Sequence, residues 1–258
     1  CAAARGADGM ITLFQAERRA PGRGAVSVAW FTFCASTLHF LFRLVWRLHD
    51  SGLEHLPRQG GILVVSNHQS YLDPPVCGSV IRERPYTIIA RESLFRFKPF
   101  GMLIRGFGAV PIERGSGDMG ALRTAIQQLA MGRTVFMFPE GTRNEDGCTK
   151  AFKPGVALLA RRAKATIVPM AIEGAHDVWP RGISLPHLRG RLEVEVGEPI
   201  PADVVEAWCK EGSEVFLERL RHRIEELRMR CRARLRERTR GTFPPPGPAD
   251  RPYWEQGA

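Results

Sequence analysis

GILVVSNHQSYLDPP, residues 61–75, is the stretch from which the fold is read. Residues 61–66 form a short, unbroken apolar run, the pattern of a buried strand. The next seven residues are polar or mixed. Asp73 followed by Pro74-Pro75 suits a helix start, with Asp73 as N-cap and Pro74 at N1. A strand that passes through a polar loop straight into a helix is the repeating unit of an α/β sheet.

Outward from this unit the pattern continues. Strands are expected at 86–90, 107–112, 134–138, 166–172 and 191–196, the last (RLEVEV) alternating and half-exposed. Helices are expected at 119–131 and 155–164. Residues 202–238 read as mostly helical, with a break near Gly212. The fold class is therefore α/β, a mixed central sheet flanked by helices over residues 51–200. A basic helical segment (201–240) and a loose, Pro-rich tail (241–258) are expected to follow.

The chain has 258 residues, 44% hydrophobic and 25% charged, which excludes a disordered polymer, a collagen-like repeat and a multipass membrane bundle. Six cysteines in 258 residues are too sparse for a disulfide scaffold, the lack of a CxxC pair argues against a zinc or thioredoxin-like site, and a reducing compartment is the simplest reading. The net charge is +10, and ten Arg against three acids put +7 of it in residues 219–240. Such a stripe suits an anionic surface. Arginines that point all round a helix and only three Tyr disfavour nucleic acid, so lipid phosphate is the expected anion.

Residues 1–25 carry no strong periodicity and are expected to be flexible. Residues 26–50 read as a membrane-associating helix. The 17 residues from Val26 to Phe42 lack any acid, Lys or Arg. As a helix they reach about 25 Å, below the bilayer core of about 30 Å. Trp30 and Trp46 near the ends, with arginines beyond, suit a helix lying in the interface. No small-residue cleavage site of a secretory signal follows.

Four stretches carry or border chemistry. In Asn67-His68-Gln69-Ser70-Tyr71-Leu72-Asp73 the His and Asp lie five apart. On one helix they would diverge by about 140°. In a strand-to-helix loop the chain can fold back, so that Asp73 holds one imidazole nitrogen and the other is left as a base. Phe138-Pro139-Glu140-Gly141-Thr142-Arg143 follows a strand, at the sheet edge where α/β proteins bind ligands. It combines an acid, a Gly that admits close backbone approach and an Arg suited to phosphate. Gly108-Ala109-Val110-Pro111-Ile112-Glu113-Arg114 is a strand ending in a cation. Ile167-Val168-Pro169-Met170-Ala171-Ile172 is apolar and could only be core or a greasy wall. Gly115–Gly120 matches GxGxxG, but charged Glu113-Arg114 sit where a dinucleotide turn should be tight. No GxSxG elbow exists, and His176-Asp177 read as a surface pair.

NHQSYLD, GAVPIER, FPEGTR and VPMAI, in this order over residues 61–172, resemble the four blocks of the glycerolipid acyltransferase family, whose best-known members are the 1-acyl-glycerol-3-phosphate acyltransferases. The second block departs from the usual pattern, with Pro111 where an aromatic is frequent and Glu113 where Asp is frequent. The resemblance implies acyl transfer from acyl-CoA or acyl-carrier protein to a glycerol-phosphate hydroxyl, without metal or prosthetic group. It assigns His68 as general base and Asp73 as its orienter. Arg114 and Arg143 would hold the acceptor phosphate, with Glu140, Gly141 and Thr142 at the acceptor site. The implied acceptor is 1-acyl-glycerol-3-phosphate, giving phosphatidic acid, and another lyso-lipid is the alternative. A non-catalytic basic protein on anionic membrane or nucleic acid is the distant one. Membrane lipids are the implied partners, with no nucleic acid, and the site is expected on the cytoplasmic side of a membrane.

Overall fold

A computed structural model describes residues 20–91, 109–112 and 117–256. Among the described residues seven strands form one sheet: β1 (His49–Ser51), β2 (Ile62–Ser66), β3 (Tyr86–Arg91), β4 (Ala109–Ile112), β5 (Thr134–Met137), β6 (Thr166–Glu173) and β7 (Glu193–Val196). Their order is β1-β7-β6-β2-β5-β3-β4. Neighbouring pairs are parallel except β6 with β7. The sheet is therefore mixed, with β7 and β1 running against the other five. The helices are α1 (Ala25–Val45), α2 (Asp73–Val80), α3 (Gly117–Ala130), α4 (Pro154–Ala163), the single turn α5 (Ala175–Val178), α6 (Ala202–Glu211) and α7 (Ser213–Arg238).

β2 explains its own composition. Ile62 and Val64 face a core with α1 and α2, while Leu63 and Val65 face a second core with α3, α4, α6 and α7. Both faces are covered, so polar residues have no place in the run, and continuous hydrophobicity replaces alternation. Val168, Met170 and Ile172 of β6 join the first core and Ile167 the second. Helices on both faces leave the two ends of the strands open. The carboxyl ends of the parallel strands are where a site can be built.

Three expectations need correction. The helix at residues 26–50 ends at Val45, and residues 49–51 form the edge strand β1 instead. Its backbone pairs with residues 193–195, which satisfies the chain without any apolar pattern. Much of the arginine stripe is paired with acids of the chain itself. Arg228 is fully buried between Glu225 (2.6 Å) and Glu173 (3.2 Å), and Arg232 binds Glu173 and Asp250, both at 2.6 Å. Arg234 and Arg238 reach Glu193 at 2.8 Å, and Arg230 reaches Glu195 at 2.9 Å. Arg228, Arg232, Arg234 and Arg238 form the seam between α7, β6 and β7, while Arg223 and Arg240 are exposed. Removing one partner of such a buried pair strands a charge, at a cost of about 3–5 kcal/mol. The Pro-rich tail is not loose. Asp250 pairs with Arg232 and Arg236, Trp254 stacks on His222, and Arg221 lies 3.4 Å from the centre of the Tyr253 ring. The break at Gly212 is as expected, and its φ of 143° is open only to glycine.

Candidate active site

His68 leaves the carboxyl end of β2, and five residues later Asp73 opens α2. The chain between them folds back, so that the His68 Nδ1–H donates to Asp73 Oδ2 at 2.8 Å. Oδ2 already accepts two backbone N–H groups, which assigns the shared proton to Nδ1. Asp73 is the first helical residue rather than the N-cap. The reason is that its Oδ2 points back into the loop and takes the N–H groups of Gln69 (2.5 Å) and Ser70 (2.7 Å) as well as the imidazole. That carboxylate is fully buried, whereas the His68 side chain keeps 17% exposure. Phe138 stacks on the imidazole at 4.2 Å between centroids, its plane nearly parallel at 19°. Among the described residues no hydrogen bond engages Nε2. The ring is thus fixed in tautomer by Asp73 and in plane by Phe138, with one basic nitrogen left over.

Glu140 follows β5, the neighbour of β2, so the two loops emerge side by side. Its two carboxylate oxygens accept from the backbone N–H groups of His68 (2.8 Å) and Lys150 (3.1 Å). Burial pushes its pKa up to about 8. Arg143 lies over the Tyr71 ring, 3.4 Å from the centroid, and its Nη1 has no hydrogen-bond partner. Gly141 (φ 69°) and Thr142 are exposed at the turn between them. The structure therefore brings His68, Asp73, Glu140 and Arg143 into one cluster, with Gly141 and Thr142 on its rim. Arg114 lies outside the described residues.

Supporting residues went unnoticed in the sequence because their partners are far along the chain. Asn67 makes two 2.9 Å bonds to the backbone of Ile172, tying the loop to β6. Gln69 donates to the Gly147 carbonyl (2.9 Å) and Glu173 (3.1 Å). Ser70 donates to the Trp179 carbonyl at 2.8 Å. The one local signal was the amide-rich NHQ run itself. His176 and Asp177 are half-buried rather than surface residues. They lie on α5, where burial, then Glu173, pushes Asp177 up to about 6.

Glu140 predicts a pH effect on stability. Its folded pKa is raised from 4.5 to about 8, so between those values the native chain holds a proton that the unfolded chain has released. This contribution is complete below the lower value and fades as pH rises through the upper one. Glu140→Gln carries no such proton. The thermal midpoint of the wild type should therefore fall relative to that of Glu140→Gln on going from about pH 5 to about pH 8. Parallel melting curves across this range would contradict the assignment.

The chain is similar to several known proteins. A family model described as Acyltransferase matches residues 47–173. A 1-acyl-sn-glycerol-3-phosphate acyltransferase of Bacillus subtilis is 28% identical over 198 residues, covering 76% of this chain and 96% of that protein. The alpha form of Bos taurus is 32% identical over 169 residues, covering 64% of this chain and 58% of that protein. The match to a chloroplastic enzyme of Arabidopsis thaliana, at 29% identity, spans about half (47%) of that relative's length. The crystal structure of the 1-acyl-sn-glycerophosphate (LPA) acyltransferase PlsC from Thermotoga maritima shares the fold, with a TM-score of 0.62 at 24% identity over 78% of this chain and 79% of that one. By its matched residues, its relatives and its fold, this chain is similar to the acyltransferase family.

Proposed function

We propose that the protein is an O-acyltransferase that moves a fatty acyl group from acyl-CoA or acyl-carrier protein to the free hydroxyl of 1-acyl-glycerol-3-phosphate, giving phosphatidic acid. The observation that carries this reading is the 2.8 Å contact between His68 Nδ1 and Asp73, which leaves Nε2 as the base. A thioester is already activated, so no covalent nucleophile is needed. An alcohol near pKa 15–16 does need a base at neutral pH, as a general estimate. His68 Nε2 takes the hydroxyl proton as the oxygen attacks the thioester carbon. The C–S bond then breaks, and the imidazolium returns its proton to the leaving thiolate. Asp73 balances the imidazolium charge, and Phe138 keeps the ring from turning.

Arg143 is assigned to the acceptor phosphate. The Tyr71 ring beneath it leaves its Nη1 uncommitted. A planar guanidinium matches a phosphate through two parallel bonds. Glu140 holds the backbone of His68 rather than a ligand. Arg143→Ala should raise the KM for a phosphorylated acceptor by about tenfold or more, with a smaller change in kcat. An unchanged KM would refute this role.

The lipid substrate accounts for α1. Val28, Phe31, Ala35, His39 and Phe42 bury one side of it on the domain. Val26, Trp30, Phe33, Phe40 and Leu44 expose the other, from 54% to 85%. One docked side and one exposed apolar side suit a helix held at a membrane surface against the domain rather than one crossing the bilayer. It lies in one leaflet, with the site on the cytoplasmic side, where a CoA thioester would be met. The experiment is to incubate the purified protein with labelled acyl-CoA and a panel of lyso-lipids and identify the products by mass. Phosphatidic acid is expected. Preferred transfer to a lyso-lipid with another headgroup would move the acceptor assignment, and transfer to none would end the reading.

A further inference from the structure

The geometry points to a second membrane contact, and we propose that the loop at residues 180–190 inserts Leu185 and Leu188 into an anionic lipid surface beside the active site. Leu185 and Leu188 are each 76% exposed and Ile183 is 45% exposed. Single exposed leucines are ordinary, but three large aliphatics within six residues of one loop form a patch. The loop is not floppy at its base. The His187 N–H donates to the Val178 carbonyl at 2.8 Å, and the Trp179 indole donates to the Ile183 carbonyl at 2.8 Å. These bonds close the loop and hold its aliphatic tip outward.

Two further observations identify the occupant. The first is continuity. Trp46, just past the end of α1, donates its indole N–H to the His187 carbonyl at 2.8 Å. The loop is therefore tied at His187 to the C-terminal end of α1, whose exposed apolar side ends at Leu44 and Val45. The second is charge. Arg47 and Arg189 are exposed, and Arg191 is half-buried. Burial, then repulsion from the like-charged Arg47 and Arg238, lowers the pKa of Arg191. Cations crowded behind an aliphatic tip match phosphate groups lying above acyl chains.

The loop also touches the chemistry. The Trp179 carbonyl accepts from Ser70, the Trp179 ring meets Tyr71 at 5.4 Å between centroids, and Arg181 pairs with Glu145 at 2.8 Å. Seating the tip in lipid would set the His68 loop at a fixed height over the surface that supplies the acceptor. The proposal rests on the interfacial reading of α1, and not on which lyso-lipid is the acceptor.

The test is flotation of the full chain with phosphatidylcholine vesicles, with and without phosphatidylglycerol. The wild type is compared with Leu185→Asp/Leu188→Asp and with the milder Leu185→Ser/Leu188→Ser. Both positions are exposed, so melting curves should match the wild type. The partition constant on anionic vesicles should fall by about tenfold or more in both variants. Acyl transfer to a vesicle-borne acceptor should fall with it, while transfer to a short-chain monomeric acceptor stays unchanged. Wild-type partitioning in both double variants, or failure of the wild type to float, would overturn the proposal. So would an equal loss on the monomeric acceptor, which would mark the loop as a docking point for a carrier protein or as part of the site. A wild type that floats but transfers nothing would sink the acyltransfer reading and leave the flotation comparison decisive for the loop.

Discussion

His68→Ala should lower kcat for acyl transfer by about 10³-fold, within the range of about 10²–10⁴ that a positioned general base contributes. The substitution removes the only group in the described cluster that combines a free basic nitrogen with access to solvent. Donor binding should persist, because the imidazole acts on the acceptor hydroxyl. Fold stability should change little, since the ring is partly exposed and touches Phe138 on one side. The measurement is steady-state acyl transfer beside equilibrium binding of a non-transferable acyl-CoA analogue. A kcat within tenfold of wild type would remove His68 from the mechanism.

Asp73 should give the second-largest loss, in two distinguishable parts. Asp73→Asn keeps an oxygen able to accept from His68 and from the Gln69 and Ser70 N–H groups, but it loses the charge that balances the imidazolium. Activity should fall by about 10²-fold, less than for His68→Ala, with the melting temperature nearly unchanged. Asp73→Ala also strands two buried backbone donors, each costing about 1–3 kcal/mol. It should therefore lower both activity and the melting temperature. Equal melting temperatures for the two variants would show that Oδ2 does not hold the loop.

Much of this was legible in the sequence, for a physical reason. A strand buried on both faces must be continuously apolar, and residues 61–66 say so without any partner in view. The six-residue loop between strand and helix, residues 67–72, can fold back, so His68 and Asp73, five apart, are one local object. What the sequence concealed is non-local. β1 is three polar residues held by backbone pairing with β7, which leaves no side-chain pattern to read. The RLEVEV run looked half-exposed because Glu193 and Glu195 alternate with valines. Those glutamates instead receive Arg230, Arg234 and Arg238 of α7. A stripe of cations with its acids some 40 residues away reads as a surface until the two are seen packed. Glu140 was legible as a functional acid, but its task of holding the His68 backbone depends on β2 and β5 being neighbours.

The central claim is that a proton leaves a lipid hydroxyl for His68 as the acyl group is transferred. Single-turnover transfer from pre-bound labelled acyl-CoA to 1-acyl-glycerol-3-phosphate, run in H2O and in D2O, tests it most directly. The wild type should be slower in D2O, and the residual transfer by His68→Ala should lose that isotope effect. Identical wild-type rates in the two solvents, with the chemical step limiting, would contradict the account.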